Sequence, residues 1–277
     1  MTMTLRSLKN NLRKSLPSSL RPIAQTGWQY TRRMLNQISC KLKYPDTVVL
    51  YPKSQSTGQY NQPEILDFLL EGKENGFFID IGANHPEYNS NTYYFELKKK
   101  YEGVAFDPLQ KYAKLWKSKR PRTRFENVAL GASKGEVSFF EHENTDGWQD
   151  QLSFTSDSPL FDRATMVGKS VKVMRLDEIN GLPQDVDFLS LDVEGAEIPV
   201  LHGLGNAIRP RIMLVENCFG VSGKKDIRDL VLSMGYRFVF RISYIDDLYI
   251  RNDQTEIFTR ADALPNSLSH LVTKSWT

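Results

Sequence analysis

The sequence predicts an α/β fold, a mostly parallel sheet that ends in an antiparallel strand pair and carries a helical arm at its N-terminus. Three observations lead there. From about residue 60, apolar runs of strand length alternate with segments of helical period, the mark of parallel strands joined by crossover helices. The first run, Phe77-Phe78-Ile79-Asp80-Ile81, is almost continuously apolar, as a strand covered on both faces must be. Near the end, two strand-like runs at 236–241 and 248–251 read as an antiparallel pair.

Residues 63–72 read as a helix with Ile65, Leu66, Leu69 and Leu70 on its apolar side. Gly82 breaks the strand at 77–81. A helix then starts near Asn89 or Ser90, both good N-caps, and runs to about Tyr101. Val104-Ala105-Phe106 is the second strand and ends at Asp107. A helix follows at 111–119 and a third strand at 125–130. Residues 137–140 are a further strand candidate, 141–170 are polar and irregular, and 171–175 return to strand character. A strand at 187–192 leads into a helix through Leu201. A strand at 212–216 leads into a helix at 227–234, closed by Gly235. The expected division is an arm at 1–60, a main domain at 61–260 and a tail at 261–277.

The chain has 277 residues, 40% hydrophobic and 25% charged, an ordinary balance for one large domain with an appendage. No run of about 18 apolar residues occurs, so no membrane-spanning helix is expected. Two scattered cysteines, Cys40 and Cys218, form neither a disulfide framework nor a zinc site. That points to a reducing, cytoplasmic setting. The formal charge of +3 is unevenly spread. Nine of the 36 Lys and Arg fall in residues 1–45 with no Asp or Glu, which leaves 27 basic against 33 acidic groups in the rest. Nucleic acid is therefore not an expected partner of the main domain. In the arm, Leu5, Leu8, Leu12 and Leu16 follow helical spacing among Arg6, Lys9, Arg13 and Lys14 until Pro17 interrupts. A basic amphipathic helix can lie peripherally on an anionic membrane surface. An arm of this kind equally packs on its domain or stays mobile, and its composition also matches an organelle transit peptide.

The chemistry begins at Asp80-Ile81-Gly82-Ala83-Asn84, between a strand and a helix. Glycine at such a turn lets a ligand approach the backbone, and ligands in these sheets bind outside the carboxyl ends of the strands. A dinucleotide would need small residues where Asn84 and Glu87 stand, and a carboxylate beside a pyrophosphate is repulsive. S-adenosylmethionine has no phosphate. Asp80 at the strand end suits its ammonium. Asp107, 27 positions later at the next strand end, suits the two ribose hydroxyls.

The same residues resemble the FkbM-type methyltransferases. The matching segments are FIDIGANHP at 78–86, SNTYYFE at 90–96, GVAFDP at 103–108, NVALG at 127–131, VKVMRLDEI at 171–179, DFLSLDVEGAEIPVLHG at 187–203 and IMLVEN at 212–217. The resemblance implies a Rossmann-like class I methyltransferase sheet, S-adenosylmethionine as donor and a hydroxyl acceptor. By position it implies that Asp80, Gly82, Ala83 and Asn84 hold the methionine part and Asp107 the ribose. It places Asn127 and Val128 beside the adenine and Asp192 near the sulfonium. Pro86 stands where many members have glycine, which suits an extended path before the helix.

Methyl transfer is an in-line displacement, and an aliphatic hydroxyl must also lose its proton to a base or a metal. His85 in the loop, Asp192 and Glu194 are the catalytic candidates. His202, on the helix after Asp192, is a weaker one, and Glu197 in the first turn of that helix favours its dipole. Asp192, Glu216 and Asn217 form an expected oxygen donor set for Mg²⁺, an analogy at the level of the fold. The segment 141–170, with His142, Asp146, Trp148, Gln149, Asp150 and Phe154, reads as a lid or binding loop for a sugar-like acceptor. The expectation is O-methylation of a sugar, glycan or related natural product. The alternatives are an N- or protein methyltransferase, or a non-catalytic adaptor that keeps the fold.

Overall fold

A computed structural model of the chain describes residues 57–142, 153–155, 166–206, 208–217, 224–243, 245–269 and 272–273. The arm, both cysteines, and Asp146, Trp148, Gln149 and Asp150 lie outside the described residues. The helices are α1 (Gln62–Leu69), α2 (Tyr93–Lys99), α3 (Ala113–Lys119), α4 (Glu197–Gly203), α5 (Lys225–Ser233), α6 (Thr255–Asp262) and α7 (Asn266–Ser269). The strands are β1 (Phe77–Ile81), β2 (Glu102–Phe106), β3 (Thr123–Glu126), β4 (Ala129–Leu130), β5 (Gly135–His142) and β6 (Phe154–Thr155). They continue as β7 (Met166–Met174), β8 (Phe188–Leu191), β9 (Ile212–Glu216), β10 (Tyr236–Ile242), β11 (Asp246–Arg251) and β12 (Val272–Thr273).

The main sheet runs β12-β10-β11-β9-β8-β1-β2-β3. β3, β2, β1, β8 and β9 are parallel. The antiparallel pair expected at the end is β10–β11, and β11 joins the parallel strands through β9. Chain order reverses at β1, which pairs with β2 on one side and β8 on the other. That reversal opens a crevice at the carboxyl edge, where such sheets bind ligands.

The apolar run at β1 is explained by burial on both faces. Phe78 packs with Phe95, Phe188 and Leu214, while Ile79 and Ile81 pack with Leu189, Val200 and Val215. Successive side chains alternate between faces, so Asp80 shares the face of Phe78. Phe78, Ile79 and Phe188 are each 0% exposed, and burial of each contributes about 1.5–3 kcal/mol. At the opposite edge Asp187 is neutralised by Lys73, whose Nζ donates at 2.7 and 2.9 Å, and it also accepts from the Phe77 amide.

Three expectations change. The third strand is two short ones: β3 stays in the main sheet, and β4 turns into a second sheet of order β4-β7-β5-β6. The break falls at Asn127, whose side-chain amide is drawn to the Asp107 carbonyl at 2.8 Å. Part of the irregular segment 141–170 is strand, since β5 and β7 pair from Gly135↔Val173 to His142↔Met166 and β6 joins β5. The folded body also continues past 260. Leu264 and Leu268 enter the core with Ile65 and Ile257, and β12 pairs with β10. Among the described residues no helix is long and apolar enough to cross a membrane.

Candidate active site

The loop after β1 is shaped by close packing. Gly82 has φ +79°, and an added Cβ would lie 1.6 Å from the carbonyl oxygen of Asp192. Its amide and that of Ala83 both donate to Phe106 O, at 2.9 and 3.2 Å, while the Asp192 amide donates to Ile81 O at 2.9 Å. The ends of β2, β1 and β8 are thereby stitched side by side. Asn84 also has positive φ, at 44°, a region asparagine tolerates better than most residues.

Two carboxylates flank this loop. Asp80 and Asp107 are each 5% exposed. The Thr92 hydroxyl donates to Asp80 Oδ2 at 2.6 Å. The Asn84 amide donates to Asp107 Oδ2 at 2.7 Å, and the Leu109 amide to Oδ1 at 2.7 Å. Burial pushes both acids up to about 6, against the pull of these donors, and each is raised further by another carboxylate: Asp192 for Asp80, Asp80 for Asp107. A carboxylate oxygen accepts more than one hydrogen bond, so Asp107 is fixed by backbone and still able to meet hydroxyls. Val128 packs beside Leu130 and Phe106 at the neighbouring edge.

His85 does not have the geometry of the base expected from sequence. Its Nδ1 accepts from the Glu87 and Tyr88 amides at 3.2 and 3.0 Å, and burial lowers its pKa. The neutral ring must then carry its proton on Nε2, which makes it a donor. It meets Tyr112 edge-on, with ring centroids 5.3 Å apart. His202 is exposed in the last turn of α4.

Across the crevice lies an acidic rim. Asp192 follows β8, Glu194 sits two residues on with φ 52°, and Glu216 ends β9. One carboxylate oxygen from each lies within 4.8 Å of the others. Asp246 is the Cα partner of Glu216 across β9 and β11 and is held by Gln62 Nε2 at 2.8 Å. Burial raises Asp246 to about 7, with Asp192 adding to the shift.

The oxygen donor set therefore differs from the one expected. Asn217 is fully buried, with its amide nitrogen on Asp247 Oδ2 at 2.7 Å and on the Lys224 carbonyl, and its Oδ1 taking the Lys224 amide. These backbone and carboxylate partners fix the Asn217 amide, and Glu194 takes its place in the cluster. Glu197, 1% exposed, accepts from the Gly195 amide at 2.8 Å and is raised by burial.

The model of the methyltransferase FkbM domain matches residues 80–238, more than half of the chain. The protein belongs to that family. Its sheet order and the reversal at β1 are those of a Rossmann-like methyltransferase, and the protein is a methyltransferase. Solved structures similar to it are distant. A 1,6-didemethyltoxoflavin N1-methyltransferase of Burkholderia thailandensis, solved with its substrate and S-adenosylhomocysteine, is 12% identical over 84% of this chain and 91% of its own, at a TM-score of 0.41. A TehB-like SAM-dependent methyltransferase of Corynebacterium glutamicum is 10% identical over 82% and 99%, at 0.40. A precorrin-6y C5,15-methyltransferase of Geobacter metallireducens is 11% identical over 71% and 90%, at 0.38. No curated protein matches the sequence.

Sequence reasoning missed the group that holds this methyltransferase's loop from behind. Arg120, 1% exposed, caps α3 and donates to Glu96 Oε2 at 2.6 Å, Pro86 O at 2.7 Å and Thr92 Oγ1 at 3.1 Å. Trp116 donates from Nε1 to Asn84 O at 2.8 Å, and the guanidinium lies 4.8 Å from its ring centroid. Glu96, on the inward face of α2 beside Phe95, was the available signal, because a buried carboxylate demands a cation or several donors.

Proposed function

We propose that this methyltransferase moves the methyl group of S-adenosylmethionine onto a hydroxyl of a sugar, glycan or related natural product. One observation carries the donor half of that reading. Two buried carboxylates end adjacent parallel strands, on either side of a glycine turn, at the point where strand order reverses. Asp80 faces the donor's ammonium, and Asp107 takes the ribose hydroxyls. Gly82, Ala83 and Asn84 run along the methionine part, with Asn127 and Val128 beside the adenine. Such a site suits a cation with a neutral sugar and disfavours a pyrophosphate.

The acceptor enters against the acidic rim. Its oxygen attacks the sulfonium methyl in line, the carbon–sulfur bond breaks as the carbon–oxygen bond forms, and the hydroxyl proton passes to Asp192 or Glu194. Clustered carboxylates repel anionic acceptors, which favours uncharged polyols over phosphorylated or uronic ones. A second reading concerns the same rim. Asp192, Glu194 and Glu216 are hard oxygen ligands of the kind Mg²⁺ takes, and a bound cation would acidify the acceptor hydroxyl. Activity lost in chelator and restored by Mg²⁺ supports that reading, and activity indifferent to chelator removes it.

Isothermal titration with S-adenosylhomocysteine tests the donor. The wild type binds, and Asp107→Ala weakens binding by about 100-fold, the scale of losing two hydrogen bonds to a charged group. No binding by the wild type, or equal binding by the variant, sinks the assignment. Labelled-methyl transfer to extracted glycans and metabolites, with the label located on oxygen or nitrogen by mass spectrometry, tests the acceptor. Label on nitrogen or on protein favours the alternative substrates, and no transfer favours an adaptor.

A further inference from the structure

We propose that Arg120 is the positioning residue of the donor pocket: through Thr92 it holds Asp80 ready for the donor's ammonium, and through the Pro86 carbonyl it sets the path of the loop. The proposal rests on the donor reading above and adds the residues that make it work.

The hydrogen-bond directions are forced. A guanidinium has donors and no acceptor, so at 3.1 Å Thr92 Oγ1 must accept from Arg120 Nη2. The single hydroxyl proton of Thr92 is then directed to Asp80 Oδ2, 2.6 Å away. The cation polarises that hydroxyl and strengthens the bond it donates. Ser90 works in the same hub, since its Oγ accepts the Thr92 and Tyr93 amides at 3.4 and 3.2 Å and lies 3.4 Å from Arg120 Nη1. A hydrogen bond donated to a carboxylate favours its charged form. That opposes burial at Asp80, where Thr92 and Arg120 both lower the acid while Asp192 raises it; Asp107 interacts with it as a further like charge.

The loop is gripped at two carbonyls from one element. Arg120 takes Pro86 O and Trp116 takes Asn84 O, so α3 and its cap define where residues 84–86 run. A buried arginine costs several kcal/mol in lost hydration unless it is paired. Glu96 supplies the pair at 2.6 Å, and Thr123 donates to the same Glu96 oxygen at 2.5 Å. An apolar residue at 120 would avoid that cost, yet the chain spends its guanidinium on one carboxylate, one loop carbonyl and the hydroxyl that serves Asp80.

The test uses Thr92→Val, which keeps the side-chain volume and removes the relay, with Thr92→Ser as its restoring partner and Arg120→Lys as the direct probe. In titrations with S-adenosylhomocysteine, Thr92→Val weakens binding about tenfold, the scale of one charge-assisted hydrogen bond. Thr92→Ser stays near the wild type. The pH midpoint of binding moves upward in Thr92→Val, a change that a packing role would not produce. Arg120→Lys keeps the charge but loses the fork, and it too weakens binding. Thr92→Val that binds as well as the wild type, with an unmoved midpoint, overturns the relay while the donor reading stands. A wild type that fails to bind overturns both.

Discussion

The two sides of the crevice group their acids differently. On the donor side each acid is met by donors: Asp107 by two backbone amides, Asp80 by a hydroxyl that Arg120 orients. On the rim, Asp192, Glu194 and Glu216 are brought within 4.8 Å of one another with Asp246 alongside. Like charges so placed raise each other's energy. Under the proposed donor assignment, that side is organised in advance for a cation with hydroxyls. The rim instead gathers three carboxylates around one point, where an arriving proton donor or cation would meet several oxygens at once.

The seam between the sides is the place to break that arrangement most severely. Gly82→Ala puts a Cβ onto the Asp192 carbonyl at a φ that side chains avoid. Loss of stability on the order of 3 kcal/mol, with donor binding abolished, is expected in urea denaturation and titration. A variant as stable as the wild type would mean the two strand ends are free to part.

A pH series separates the sides next. Asp80 and Asp107 have folded pKa values raised to about 6 from 3.8. In the ligand-free protein the folded state therefore binds protons that the unfolded chain releases, so these groups favour folding more as pH falls from about 6 towards 4. Donor binding needs the charged forms and has the opposite sign. Affinity for S-adenosylhomocysteine falls about tenfold per group between pH 7 and pH 5. Affinity that is flat across that range would remove both carboxylates from the donor contact.

The smallest effect is expected on the rim itself. Glu216→Gln, assayed in chelator, keeps the side-chain shape and removes one charge from the cluster, and Tm is expected to stay within a few degrees of the wild type. A larger loss would show that the contacts of the Glu216 carboxylate hold the end of β9 in place. Whichever way it falls, methyl transfer by this variant reports whether the third carboxylate takes part in the chemistry.

Sequence patterns were most informative where one strand or one turn decides the outcome. The strand at 212–216 and the run at 77–81 appear as read, because burial on both faces leaves a continuous apolar stretch. The helix after the loop starts later than its caps suggested: Asn89 adopts φ 51°, and Ser90 spends its oxygen on the amides of Thr92 and Tyr93. Partners from distant elements were invisible. Asn217 looked like a metal ligand at a strand end, but its Oδ1 accepts the Lys224 amide while Asp247 of β11 holds its nitrogen. Arg120 sits in the run Lys117-Ser118-Lys119-Arg120-Pro121-Arg122, which reads as a solvated basic stretch. Only the packing of α2 against it selects one arginine of that run for the interior.

Gly82 and the Asp192 carbonyl meet with no side chain between them. The separation of the two strand ends is thus gauged by main-chain atoms of neighbouring strands. Side chains along the crevice can be exchanged without altering that gauge.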